Sequence, residues 1–209
     1  MFNDPTTKRA IAFIDGQNLF HAAKEALGYS YPNYDPLALA RQTCQQQGWE
    51  LAGVRFYTGV PDPKDNAFWS RFWRAKLGAM GRQGMYVYAR SLRYRNQTVR
   101  NSNGKPETFL VAEEKGIDVR LALDTLHLAY RQEYDVALIF SQDQDLSEVA
   151  DQIRLISLEQ NRWIKVASAF PVSPTSRNRR GINQTDWVRI DRTLYDACLD
   201  PHDYREQRA

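Results

Sequence analysis

Carboxylates carry the chemistry that this sequence can offer. Asp15 closes the apolar run Ile11-Ala12-Phe13-Ile14 and is followed by Gly16-Gln17-Asn18. Asp118 stands in Lys115-Gly116-Ile117-Asp118, and Asp143 and Asp145 stand in Ser141-Gln142-Asp143-Gln144-Asp145. Hard oxygen donors of this kind suit Mg2+ or Mn2+. Two carboxylates two residues apart in one turn can converge on a single ion. Several such groups brought together repel one another, and a bound cation relieves that repulsion. Each acid also has a plain structural use. Asp15 would cap a helix starting near Gln17, and Asp145 one starting at Leu146. Asp118 would suit the first turn of a helix through the helix dipole. Asp124 lies six residues further on, about 600° around the helix. It therefore belongs on another side, either behind the site or as an ion-pair partner inside the packing.

Other chemistries lack their residues. The chain has no Walker A loop, no GxSxG elbow, no glycine-rich dinucleotide turn and no DxDxT motif. His21, His127 and His202 are scattered, and Cys44 and Cys198 are far apart, with no CxxC or HxxxH. A zinc site is not indicated. Two thiols of this kind fit a reducing, cytoplasmic setting.

The elements that must position the acids follow from periodicity. Residues 10–15 are apolar without alternation, as in a central strand covered on both faces. Leu19, Ala22, Ala23, Ala26 and Leu27 then recur at helical spacing. Asp35-Pro36 opens a second helix, which Gly48 ends. Strands are expected at 51–60, 85–92, 135–141, 163–170 and 187–190, with helices at 66–83, 117–130, 146–160 and 192–199. Two arms around Asn101-Ser-Asn-Gly-Lys-Pro106 form an inserted hairpin near 92–112. Alternating strands and helices predict a three-layer α/β/α fold with a mostly parallel central sheet. In such sheets, sites lie outside the carboxyl ends of the strands. Asp15 and Ser141–Asp145 should then share one rim. A single domain over 8–199 is expected, with a mobile basic loop at 171–184 and a loose tail at 200–209.

Of 209 residues, 43% are hydrophobic and 25% charged, and the net charge is only +3. No apolar run reaches the roughly 18–20 residues that span a bilayer, and the first residues lack the apolar core of a secretory leader. The charge is unevenly spread. No acid occurs from Asn66 to Pro106, where Arg71, Arg74, Lys76, Arg82, Arg90, Arg93, Arg95, Arg100 and Lys105 all fall. A basic block beside an acidic one suits an anionic partner presented to a carboxylate site. A solvated helix face plus a basic hairpin would give the same pattern. Arg90, Arg93, Arg95 and Arg100 are candidates for contacts with such a partner. Arg177, Arg179 and Arg180 would close over substrate from the loop. Tyr86, Tyr88 and Tyr94 would serve as stacking platforms or as core. The helices at 66–83 and 117–130 leave a homodimer face open as an option.

Asp15-Gly-Gln-Asn18, Lys115-Gly-Ile-Asp118-Val and Ser141-Gln-Asp143-Gln-Asp145 together resemble the three signature motifs of the NYN domain family. That family belongs to the PIN-like ribonucleases, and the LabA-like bacterial branch is the most similar. The resemblance spans roughly 8–191. Gln142 departs from it, where many relatives have Gly, and so does Leu146, where an aromatic is common. The resemblance implies metal-dependent endonucleolytic cleavage of RNA. By position, Asp15, Asp118 and Asp143 would hold Mg2+ or Mn2+. Asn18 would orient Asp15 or meet the scissile phosphate, and Asp145 would complete the cluster. Lys115, Asp124, Ser141 and Asp186 are weaker candidates in support, Asp186 because Thr185-Asp186-Trp187 resembles an Asp-aromatic pair before the last strand. The competing expectations are a non-catalytic RNA-binding module that keeps the fold, and a phosphatase for small phosphoesters.

Overall fold

The computed structural model describes residues 2–100 and 104–205. In chain order the elements are β1 (Arg9–Asp15), α1 (Gly16–Leu27), α2 (Pro36–Gln47), β2 (Glu50–Val60), α3 (Ala67–Arg82) and β3 (Tyr86–Ser91). They continue with β4 (Arg93–Arg100), β5 (Pro106–Glu113), α4 (Ile117–Tyr130), β6 (Val136–Phe140), a 3₁₀ turn (Gln144–Leu146), α5 (Ser147–Glu159), β7 (Lys165–Pro171), β8 (Asp186–Ile190) and α6 (Arg192–Asp196). Six strands form one parallel sheet in the order β3-β2-β1-β6-β7-β8. The predicted α/β architecture is the observed one.

β1 is central because both of its faces are apolar. Ala10, Ala12 and Ile14 enter a core built with Leu19 and Ala23 of α1, Leu39 of α2 and Phe72 and Trp73 of α3. Ile11 and Phe13 enter a second core with Ile117 and Leu121 of α4 and Val149 and Ile153 of α5. Side chains on a strand alternate between faces. That alternation carries Asp15, two residues after Phe13, to the α4 side of the rim. Truncating Phe13, which is fully buried, would cost about 3–5 kcal/mol, so the strand bearing Asp15 is firmly seated.

Local signals account for the ends of the elements. Asp35 Oδ1 accepts from Leu37 N at 2.9 Å and Ala38 N at 3.1 Å, with Pro36 in the first turn of α2. The turn after β6 differs from expectation. Asp143, not Asp145, supplies the cap there: its Oδ1 accepts from Asp145 N at 3.0 Å and starts the 3₁₀ turn that precedes α5.

The hairpin is real but separate. β4 and β5 pair antiparallel, Arg93 opposite Glu113 and Arg100 opposite Pro106, and form their own two-stranded sheet. Residues 101–103 of its expected turn lie outside the described residues. β4 leaves from the rim end of β3, and β5 returns directly into the Glu114–Asp118 turn. Residues 200–205 lie along α3. The Nζ of Lys76 donates to Asp200 Oδ2 and to the Tyr34 carbonyl, both at 2.8 Å, and the Tyr204 ring meets that of Phe72 edge-on. Lys76 is therefore internal and withdraws one charge from the basic block. Cys44 and Cys198 are buried and unbridged. Among the described residues no helix is long and apolar enough to cross a membrane.

Candidate active site at the carboxyl rim

Asp15 is 7% exposed at the last position of β1. Its Oδ1 accepts from Asn18 N at 3.0 Å, so it does cap α1, and its Oδ2 accepts from Ser141 Oγ at 3.3 Å. The cap does not make it only structural. Burial pushes the Asp15 carboxyl up to about 6, the two donors pull it back, and negative charge on Asp118 and Asp143 adds to the rise. Three turns far apart in sequence thus place their acids within charge range of one another.

The turn after β6 is tied down from several sides. Asn18 Oδ1 accepts from Gln142 N at 2.8 Å, and Ser141 Oγ accepts from Asp143 N at 3.1 Å. Ser168 Oγ of β7 donates to the Ser141 carbonyl at 2.7 Å and accepts from Ile182 N at 3.2 Å. Asn18 therefore orients Asp15 with its backbone and holds the Asp143 turn with its side chain. Ser141 bridges the two acids. Gln142 also has a job that glycine lacks: its Nε2 donates to the Arg180 carbonyl at 2.9 Å. Gln144 does the same to the Gly181 carbonyl at 3.0 Å. The segment carrying Arg177, Arg179 and Arg180 is thereby laid along the turn.

Asp118 is exposed in the first turn of α4. Gly116 opens that helix at φ +72, and an added Cβ would come within 2.7 Å of Arg90 Nη1. A side chain there would be strained and crowded. Arg90 Nη1 donates to the Lys115 carbonyl at 3.2 Å. Lys115 and Asp145 are exposed.

Glu114 is a rim residue that the sequence did not single out. It accepts from Gly59 N and occupies the space beside that glycine, where an added Cβ would lie 2.6 Å from Glu114 Oε1 and 2.7 Å from its Cγ. Burial raises the Glu114 carboxyl to about 7, against the Gly59 N–H, and charge on Asp15 and Asp118 adds to the rise. Its signal was an acid four residues before Asp118, but its seat is made by β2, which the local spacing cannot reveal.

Several candidates are not brought to the rim. Asp124 is 8% exposed and is neutralised by Arg55 Nη1 at 3.1 Å, Arg120 Nε at 2.8 Å and the Tyr57 hydroxyl at 2.9 Å. It is an ion-pair partner in the packing. Asp186 begins β8, so in a parallel sheet it stands at the edge opposite Asp15, paired to Lys165 at 2.5 Å. Tyr86 and Tyr88 pack on Tyr57 and lie under Arg55 and Arg120, respectively. Arg93 is exposed opposite Glu113, and Arg95 is ion-paired with Glu113. Arg100 ends β4, about 23 Å along the arm from Arg93. The Arg179 side chain folds back on the Ser176 and Pro174 carbonyls, and Arg180 donates to Asn183 Oδ1.

A family model described as the NYN domain matches residues 9–176. The chain belongs to the NYN domain family. NYN domains fall within the PIN-like nuclease superfamily, so a nuclease-type activity and an RNA partner are the family-level expectation. No curated protein matches the chain. A solved protein of unknown function from Vibrio parahaemolyticus shares the fold, with a TM-score of 0.51 at 18% identity over 95% of this chain and 99% of that one.

Divalent metal dependence is general among such nucleases, and the donors at this NYN rim fit the chemistry of Mg2+ or Mn2+. Asp15, Glu114, Asp118 and Asp143 are all hard oxygen groups. None of the four is ion-paired among the described residues, and burial with neighbouring negative charge raises the Asp15 and Glu114 carboxyls. As the side chains are oriented, no three His, Cys, Asp or Glu among the described residues form a finished metal cage.

Proposed function

We propose that this NYN protein, of the LabA-like branch, is a cytoplasmic endoribonuclease that uses Mg2+ or Mn2+ to hydrolyse RNA phosphodiester bonds at the carboxyl rim. The observation that carries this reading is the gathering of unpaired carboxylates around a buried Asp15 whose carboxyl is pushed up to about 6. That rise comes first from burial and then from the charge of Asp118 and Asp143, and a helix cap alone requires none of these.

Asp15, Asp118 and Asp143 would hold the ion, with Glu114 beside Asp15 and Asp118 and with Asp145 exposed at the margin. A bound divalent ion lowers the pKa of coordinated water and offsets charge on the phosphate oxygens. The chain's own residues do the positioning. Asn18 and Ser141 fix Asp15 against the Asp143 turn. Arg90, beside the Lys115–Gly116 turn, and Arg93, at the root of the hairpin, stand where phosphates approaching the rim would pass. Arg95 reaches a phosphate only by exchanging Glu113. Arg180, whose carbonyl accepts from Gln142, lies on the other side of the Asp143 turn, whereas the Arg177 backbone is held by Glu25 towards the far end of α1. No catalytic histidine is required, since carboxylates and an ion can run this hydrolysis.

The test is incubation of purified protein with labelled single-stranded RNA, structured RNA and DNA in Mg2+, Mn2+ or EDTA. RNA cleavage that needs metal, and that falls about 10²–10³-fold in Asp15→Asn and Asp143→Asn, is expected. Cleavage in EDTA, or wild-type rates in both variants, would sink the mechanism. RNA binding without any cleavage would favour the alternative, a regulatory module.

A further inference from the structure

A second feature opens beside Asp15 on the other face of the sheet. A cleft of about 310 Å³ lies between α1 and α3, at the lower end of the size range of small-ligand pockets. One wall is a single stripe of α1, with Gln17, Phe20, His21 and Lys24 at helical spacing. The other wall is Trp69 and Trp73, one turn apart on α3. Gly16 also lines it, so the cleft begins at the residue after Asp15. From Gly16 to Lys24 it runs along about 12 Å of helix.

The chemistry of this cleft is unlike a hole in the core. Phe20 and Trp69 are half-buried, while His21 and Lys24 are exposed. Among the described residues no ion pair engages Lys24. The core function of α3 is already met by Phe72, Trp73 and Met80, which are buried. Trp69 is left with an indole partly open to the cleft and held edge-on by Phe68 and Phe72. A rigid aromatic wall, a cation at the far end and a carboxylate rim at the near end match one kind of occupant. Bases stack on aromatic faces whatever their identity, and a lysine takes the phosphate between them.

We infer that this α1–α3 cleft is a nucleobase subsite for an unpaired RNA strand. It holds the base next to the phosphate at the rim by stacking on Trp69 and Phe20, with Lys24 on the following phosphate. The placement of that phosphate rests on the nuclease reading, but the stacking does not. A base paired in a duplex cannot enter, so the cleft selects single-stranded over double-stranded RNA.

The test uses two labelled ten-nucleotide strands, one of adenines and one of the same length made abasic, with binding followed by fluorescence anisotropy in EDTA. Wild-type protein is expected to prefer the base-bearing strand by about tenfold. Trp69→Leu and Phe20→Leu should each erase most of that preference. Lys24→Glu should weaken both strands alike. In metal, the loss in Trp69→Leu should fall on KM. Asp15→Asn should keep the base preference while losing cleavage. Equal binding of both strands by wild type, or an undiminished preference in both aromatic variants, would overturn the proposal whether or not the protein cleaves RNA. A preference erased by both variants in a protein that does not cleave would uphold the cleft and overturn the nuclease reading.

Discussion

Two buried aspartates, Asp15 and Asp124, sit on opposite sides of a simple distinction. They are almost equally hidden, at 7% and 8% exposure. Asp124 is met by two guanidinium groups and a phenol. Asp15 is met by a backbone N–H and a hydroxyl, and by the negative charge of Asp118 and Asp143. Burying a carboxylate is expensive unless it is compensated. Asp124 is compensated within the chain and serves the packing. Asp15 has no cation partner among the described residues. Burial alone would have ranked the two together; what surrounds each carboxylate separates them.

The sharpest way to break this comparison is through cleavage. Asp15→Asn should lose about 10²–10³-fold in rate, whereas Asp124→Asn should stay within a few fold in the folded fraction. Equal losses would erase the distinction.

Stability comes next, and its sign should oppose the activity. The folded Asp15 carboxyl is raised from 3.8 to about 6. Its contribution is therefore fully present below pH 4 and is lost as pH rises through 6. Two units correspond to about 3 kcal/mol as an upper figure. In EDTA, Asp15→Asn should match wild type near pH 4 and exceed it by up to that amount above pH 7, by urea unfolding. A variant no more stable than wild type at pH 8 would refute the strain assigned to Asp15.

Asp124→Ala should do the reverse. It strands Arg55, Arg120 and the buried Tyr57 hydroxyl. Because both arginines are partly exposed, we expect a loss of about 2–3 kcal/mol, or about 5–10 °C in Tm. An unchanged Tm would show that the ion pairs contribute nothing.

The smallest effect concerns the hairpin. Arg93→Ala with Arg95→Ala should weaken RNA binding and reduce the salt slope by about 1, less than two full contacts because Arg95 is held by Glu113. An identical slope would remove phosphate contacts from β4.

Much of this arrangement was legible in the sequence. The order of strands and helices was enough to bring Asp15 and Asp143 to one rim, because parallel strands all end on the same side; Asp118 arrives there because the antiparallel hairpin leaves from the end of β3 and returns to it. The same rule tells against Asp186, which begins its strand and so stands at the opposite edge. Glu114 was hidden because Gly59, 55 residues earlier, makes its seat. Lys76 counted as one more surface charge until α3 turned it towards Asp200. The cleft was out of reach for the same reason. Trp69 follows the apolar stripe of its helix and packs at the margin of the core, and only the gap between α1 and α3 leaves it partly open.

The alternation along β1 has a consequence for how this protein can change. Side chains on the strand count in twos, so the face that Asp15 occupies is a matter of parity. Losing or gaining one residue between Ala10 and Ile14 would turn the carboxylate towards the aromatic cleft and away from Asp118. Losing or gaining two would shift it along the strand without turning it. A change of one in the length of that segment would keep the carboxylate on its face only if a bulge absorbed it, as the register shift between β1 and β2 at Ala10–Ile11 already absorbs one residue.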